Sequence, residues 1–386
     1  MESKIINQKS KMENPDWTKT RRRIIVSGGG TGGHIFPAIA IANALTDKDP
    51  TIKILFVGAE GRMEMEKVPA AGYKIIGLPV RGFNRRNLFK NFGVIYRLIR
   101  SLFLARIIIR RFRPDVVVGV GGYASGPVLW AASRKRIPAV IHESNSYAGI
   151  ANKLLARRVE RICVAYDGME RFFPKKKIVV TGNPVRQELN DCHLQHEQSL
   201  HFFDLDATKQ TILVVGGSLG ARTINQSVEA YLDQFPANLQ LIWQTGKDFF
   251  ERAKQQVQNR KMSNVKVFDF IKRMDLAYAA ADLVVSRAGA STISELSITA
   301  KPCILVPSPN VAEDHQTKNA MALVQKNAAI MIRDSEAMKK LMPEAIATVQ
   351  NYEALEPLSD NIKKMAKFHA DEVIAGIITQ LIKNNQ

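Results

Sequence analysis

Acidic residues and cysteine are both scarce in this sequence. Its 386 residues hold 55 lysines and arginines against 36 aspartates and glutamates, a formal charge of +19. An anionic partner is therefore the first expectation, whether nucleic acid, a phosphorylated metabolite or an acidic lipid surface. Only three cysteines occur, Cys163, Cys192 and Cys303. They stand far apart and form no CxxC, which argues against a disulfide framework or a cysteine zinc site and fits a reducing cytoplasm. No run approaches the roughly 18 apolar residues of a membrane span. The amino-terminal MESKIINQKSKMENPDWTKTRRR lacks the apolar core of a secretion signal. The expected protein neither spans a membrane nor leaves by the usual route, and its predominantly polar residues 1–20 read as a disordered tail.

What is present is a repeated alternation. Short β-branched runs closed by glycine or proline precede helix-like stretches at Ile24–Ser27, Ile52–Gly58, Val116–Gly119, Ala139–His142 and Ile162–Ala165. The pattern restarts at Thr211–Gly216, Leu239–Gln244, Val265–Phe268, Leu283–Ser286 and Cys303–Val306. Unbroken apolar strands between helices predict parallel sheets covered on both faces. IIVSGGGTGGH and ILVVGGSLGAR each run strand, glycine turn, helix start. The expected class is α/β, with two doubly wound, Rossmann-like domains, residues 21–184 and 185–366, around a central cleft. The polar, histidine-containing segment Asn190–Asp206 reads as a surface insertion.

Gly28, Gly30 and Gly33 fit G-x-G-x-x-G, and Glu60 ends the next strand near where a ribose-binding acid would stand, so a nicotinamide oxidoreductase stays open. The loop is no P-loop, because His34 and Ile35 stand where Lys and Ser/Thr are required. It can still present backbone N–H groups to a phosphate at a helix N-terminus. The second loop, Gly216-Gly217-Ser218-Leu219-Gly220, matches the G-x-S-x-G elbow of hydrolases, with His315 and His369 downstream. A phosphate-binding Ser218 is the alternative. In SRAGASTISE, Thr292 and Glu295 have capping-box spacing, so a well-capped helix and a phosphate and ribose site compete on equal terms.

Residues 81–113 contain ten basic side chains and no acid, interleaved with Phe83, Leu88, Phe89 and Phe92. The helical stripe Ile95, Leu98, Ile99, Leu102, Phe103 is expected to pack on the sheet. The basic, aromatic N-terminal end, with Arg85, Arg86, Phe89 and Phe92, is the expected contact with an anionic membrane. No nucleic-acid-binding module is recognisable. His193, His196 and His201 in the insertion, and the D-x-D of Asp204 and Asp206, are discounted as metal sites.

GGGTGGH, GVGGYASGP, HESN, GNPVR, GGSLGAR, GASTISE and DHQTKNA occur in the order and spacing of the MurG family of glycosyltransferases, which residues 22–386 resemble. The resemblance implies a GT-B fold whose last helix, within residues 367–386, crosses back to the first domain. It implies inverting transfer of N-acetylglucosamine from UDP-N-acetylglucosamine to the 4-hydroxyl of N-acetylmuramate on lipid I, giving lipid II, without cofactor or metal. A UDP-sugar epimerase or another GT-B transferase is the alternative. By similarity Glu295 holds the ribose, Ala290, Ser291, Thr292, Ile293, Ser294 and Ser218 surround the diphosphate, Ile271 meets uracil and Arg186 adds charge. Gln316 and Asn145 contact the sugar, Thr31, Gly32 and Gly33 form a substrate loop, and Tyr123 lines the acceptor side. His34, titrating near neutrality, is the expected general base. The family further implies a peripheral protein on the cytoplasmic face of the bacterial inner membrane, with partners in cell-wall synthesis and division.

Overall fold

The computed structural model describes residues 22–82, 92–189, 191–217, 220–311 and 314–384, without the side chains of Phe92 and His193. The strands are β1 Arg23–Ser27, β2 Lys53–Ala59, β3 Lys74–Leu78, β4 Val116–Gly119, β5 Ala139–Glu143, β6 Arg161–Val164, β7 Ile178–Val180, β8 Gln210–Val215, β9 Leu239–Gln244, β10 Val265–Phe268, β11 Leu283–Ser286, β12 Cys303–Leu305 and β13 Ile330–Met331. The α-helices are α1 Gly32–Lys48, α2 Glu64–Ala70, α3 Phe92–Phe112, α4 Ser125–Arg134, α5 Ile150–Leu155, α6 His196–Phe203, α7 Arg222–Tyr231, α8 Lys247–Asn259, α9 Met274–Ala280, α10 Ala290–Ile298, α11 His315–Val324, α12 Ala337–Val349, α13 Tyr352–Lys363 and α14 Ala370–Lys383.

Two all-parallel sheets result, β3-β2-β1-β4-β5-β6-β7 and β10-β9-β8-β11-β12-β13. Their central strands, such as RIIVS of β1, are buried along their whole length, as sheets covered on both faces require. In each sheet the order reverses between the first strand and its second-side neighbour, β1/β4 and β8/β11. Crevices beyond the carboxyl ends of the strands at these points are the usual ligand sites of doubly wound sheets. Each crevice is floored by a glycine loop. Gly122 has φ +80° and a Cβ there would collide with Gly29 O; Gly220 has φ +78° and a Cβ there would collide with Thr245 O. The backbones approach so closely that only glycine fits.

The last helix, α14, packs on α1 of the first domain. Ile374, Ile378 and Ile382 are buried in that domain's core, and Lys48 Nζ donates to the Glu372 carbonyl at 2.8 Å. Each such isoleucine is worth about 1.5–3 kcal/mol of burial, so the helix clamps the two domains together.

Two elements depart from expectation. In α3, Ile95, Ile99 and Phe103 are exposed, together with Tyr96. The face turned inward is Val94, Ser101, Ala105, Ile108, Ile109 and Phe112. The helix carries apolar residues on two faces, and the one with the small Ser101 and Ala105 is the one that fits against α4. Residues 191–206 of the expected insertion also pack into the second domain rather than standing loose. Cys192 and Phe203 are buried in the second domain's core, and His196 Nδ1 donates to the Ala279 carbonyl at 3.0 Å. Asp204 pairs with Lys266 at 2.6 Å. Among the described residues no cluster of His, Cys, Asp and Glu is arranged to hold a metal ion.

Candidate active site

The first glycine loop joins β1 to α1 and is shaped by a carboxylate. Glu64, in the first turn of α2, is wholly buried and accepts hydrogen bonds from Gly30 N at 3.0 and 3.1 Å and Ala59 N at 2.9 Å. A buried charge is tolerable only with such partners, and the loop is drawn onto it. Thr31 is the N-cap of α1, and its carbonyl accepts from His34 N and Ile35 N. No acid stands in the first turn of α1 to offset the positive end of the helix dipole.

His34 is half-buried, its ring beneath Gly121 and its Nδ1 3.2 Å from Thr31 Oγ1. Burial lowers its pKa from 6.5, opposed by a backbone contact from Gly29 and by the charge of Glu64. The ring is neutral at physiological pH, the state a base needs. His142, near the end of β5, is fully buried. Its Nε2 is 3.3 Å from the Gly182 carbonyl. A carbonyl only accepts, so Nε2 carries the proton and the partnerless Nδ1 does not. Burial drops the His142 pKa to about 4.

After β5, the HESN segment is folded around Glu143, which accepts from Asn145 N at 3.1 Å, Asn145 Nδ2 at 3.2 Å, Gly149 N at 2.9 Å and Asn152 Nδ2 at 2.8 Å. Asn145 Oδ1 in turn accepts from Asn319 Nδ2 at 3.2 Å, across the cleft. Asn319 Oδ1 accepts from both the amide and the hydroxyl of Ser146 at 3.0 Å. Asn183, on the crossing chain, donates to Ser144 O, Ala290 O and Ser294 Oγ. The Lys318 ammonium caps the Tyr147 ring at 3.4 Å. Asn145, Ala290 and Ser294 are thus part of a clasp between domains, and sequence reading missed Asn183 and Asn319, which build it.

In the second domain α10 begins at Ala290, with Gly289 as N-cap. Thr292 lies inside the helix, so the capping-box alternative fails. Glu295 instead accepts from the buried Tyr278 hydroxyl at 3.0 Å and faces Arg186 at 3.8 Å. Burial raises the Glu295 pKa, while Arg186 and Tyr278 pull it down. The Ser291 hydroxyl is buried on the same helix without a partner among the described residues. Ile271 N donates to Gln244 Oε1 at 2.8 Å, and Gln244 Nε2 donates to Gly217 O at 3.2 Å. Gln244, another residue missed from sequence, therefore ties the second glycine loop to Ile271. Gln316 Oε1 accepts from Ser308 N at 2.8 Å. The half-exposed Tyr123 lies against Gly82. Ser218, Arg85, Arg86 and Phe89, and the side chain of Phe92, lie outside the described residues.

Two doubly wound domains facing one cleft, each with its own glycine loop, define the GT-B class of glycosyltransferase folds. The chain belongs to glycosyltransferase family 28: models of that family's N-terminal and C-terminal domains match residues 24–164 and 211–373. It is 59% identical over 361 residues, 93% of its length and 98% of the relative's, to the UDP-N-acetylglucosamine–N-acetylmuramyl-(pentapeptide) pyrophosphoryl-undecaprenol N-acetylglucosamine transferase of Parabacteroides distasonis. Among solved structures, Acinetobacter baumannii MurG superposes with a TM-score of 0.75 at 27% identity, covering 93% of this chain and 99% of that one. A UDP-GlcNAc 2-epimerase from Neisseria meningitidis, at 13% identity, TM-score 0.63 and coverage of 93% and 100%, shares the fold alone.

Proposed function

We propose that the protein transfers N-acetylglucosamine from UDP-N-acetylglucosamine to the 4-hydroxyl of N-acetylmuramate on lipid I, undecaprenyl-pyrophosphoryl-muramoyl-pentapeptide, forming lipid II and releasing UDP. The observation that carries this reading is the 59% identity, along 98% of its length, to a relative named for that transfer.

In this reading the second domain takes the donor. Glu295 accepts from the ribose hydroxyls beside Arg186, and the Ile271 carbonyl meets uracil. The N-terminal turn of α10, from Ala290 through Ser291, Thr292 and Ile293 to Ser294, receives the diphosphate with Ser218. Charge that develops on the departing β-phosphate meets the helix end and Arg186 in place from the start, so little reorganisation accompanies reaction. Gln316 and Asn145 contact the transferred sugar. The first domain takes the acceptor, its pyrophosphate on the amides of Thr31, Gly32 and Gly33 and its sugar near Tyr123. The acceptor oxygen attacks C1, the bond from C1 to the β-phosphate oxygen breaks, and His34 takes the hydroxyl proton. The exposed Ile95, Tyr96, Ile99 and Phe103 of α3, with exposed Arg100, Arg106 and Arg110 on the same helix, support a membrane-facing role. Together with Arg85, Arg86, Phe89 and Phe92 they would hold the protein peripherally on the cytoplasmic face of the inner membrane, beside other proteins of cell-wall synthesis and division. Among the described residues no helix is long and apolar enough to cross a membrane.

The reading is tested by supplying labelled UDP-N-acetylglucosamine with lipid I. Label appearing in a lipid-linked disaccharide supports it, and label confined to free sugar nucleotide refutes it.

A further inference from the structure

One buried amide joins two loops of the second domain. Gln244 ends β9, opposite Val215 of β8 and Phe268 of β10, so it stands between the two strands whose following loops carry Gly217 and Ile271. The residue is buried, its Oε1 accepts from Ile271 N at 2.8 Å and its Nε2 donates to Gly217 O at 3.2 Å. These partners fix the orientation of the amide, because a flip would set its nitrogen against an N–H and its oxygen against a carbonyl.

The glycine loop is anchored separately at its far end. Gly220 rests on the Thr245 carbonyl, which accepts from Asn225 Nδ2 at 2.8 Å, and Asn225 Oδ1 accepts from Trp243 Nε1 at 3.1 Å. Gly217, exposed and at φ +85°, takes Gly220 N on its carbonyl at 3.0 Å together with the Gln244 amide. On the other side the Ile271 side chain is buried in the core of the domain, so its backbone and the strut move as one. Gln244 thus sets the spacing between Gly217 and Ile271.

We propose that Gln244 is a positioning residue for a nucleoside diphosphate, holding through Gly217 the loop that receives the diphosphate and through Ile271 the backbone that meets the nucleobase. This rests on the donor reading above and adds how the two ends of the nucleotide are held at one spacing. The two arms are chemically separable. A glutamate at this position keeps the acceptor for Ile271 N and donates to the Gly217 carbonyl only when protonated, and a methionine of similar length supplies neither bond. The Ile271 carbonyl matches the N3–H of uracil and not the bare N3 of cytosine, so the ratio of UDP to CDP affinity reads the Ile271 arm.

The test is calorimetry of UDP and CDP binding to the full-length parent, Gln244→Glu and Gln244→Met, with circular dichroism to check that each variant is folded. At about pH 8 the ionised carboxylate of Gln244→Glu faces the Gly217 carbonyl, and UDP affinity is expected to fall about tenfold or more with the UDP to CDP ratio kept. Burial raises a carboxyl pKa, so by about pH 5 protonation is expected to bring the affinity of this variant back toward the parent measured at the same pH. Gln244→Met is expected to lose UDP affinity about tenfold or more at both pH values and to lose the preference for UDP over CDP. Parental UDP affinity in both variants, or an equal loss in both that pH does not relieve, overturns the positioning role and leaves the donor reading standing. A parent that binds no UDP, or binds CDP equally well, overturns the donor reading and the positioning role with it.

Discussion

Replacing Glu64 with Gln tests whether a buried carboxylate sets the shape of the acceptor loop. The carboxylate accepts from Gly30 N and Ala59 N at 2.9–3.1 Å. Oε1 accepts from both amides and Oε2 accepts from Gly30 N alone, so a glutamine that keeps its carbonyl at the Oε1 position turns its NH2 group against Gly30 N. Setting a donor against that buried N–H, in place of an acceptor, costs about 1–3 kcal/mol. At roughly 2–4 °C per kcal/mol for a domain of this size, Tm should fall by roughly 2–12 °C. Function should respond more selectively than stability. The loop carries Thr31, Gly32 and Gly33, so turnover with the acceptor should drop while UDP affinity, read by calorimetry, stays at the parent value. The variant also removes the charge that raises the His34 pKa. The acidic limb of the kcat/KM profile should therefore move to lower pH. Parental Tm together with parental turnover would refute the role given to Glu64, and an equal loss of UDP affinity would move the nucleotide to this loop.

Three other outcomes follow from the same geometry. His34→Ala should lower turnover with a soluble acceptor by about a hundredfold or more, and activity within about tenfold of the parent would exclude His34 as an essential base. Because burial holds the ring neutral below its usual 6.5, parental activity should fall as pH drops through that lowered value, a limb the variant should lack. Ile99→Ser and Phe103→Ser remove exposed apolar groups worth about 1.5–3 kcal/mol each if inserted in lipid. Binding to anionic vesicles should weaken at least about tenfold with UDP affinity spared, and unchanged vesicle binding would contradict the membrane face. His142 stays neutral in the fold down to about pH 4 but takes a proton near 6.5 once unfolded. Stability should therefore fall as pH drops from 6.5 to 4, by about 1.4 kcal/mol per unit. His142→Gln, which keeps a donor for the Gly182 carbonyl, should flatten that slope, and identical slopes would refute the assignment.

The central strands were legible in the sequence because burial on both faces demands unbroken apolar runs, as in Val116–Gly119 and Leu283–Ser286. The edge strands β3, β7 and β13 were not, since KIIGL, IVV and IM are only partly buried and their apolar runs are cut to two or three residues. In α3 the pattern offered two apolar faces, and the choice between them depended on the small residues that α4 needs, which a hydropathy stripe does not record. Segment 190–206 looked polar because only isolated positions, Cys192 and Phe203, reach the core. The glycine loops and α10 were placed by local pattern. Glu64, Asn183, Gln244 and Asn319 escaped notice because their roles lie in distant partners: Glu64 acts 34 residues from Gly30, and Asn319 acts 173 residues from Ser146.

The central claim is a transfer between two substrates held on opposite domains. Its most direct measurement is the rate of UDP release from UDP-N-acetylglucosamine with and without lipid I. The account predicts release that depends on lipid I and saturates with it, matched by formation of the lipid-linked disaccharide. Release at the same rate without the acceptor, or interconversion of the sugar nucleotide in its absence, would contradict it.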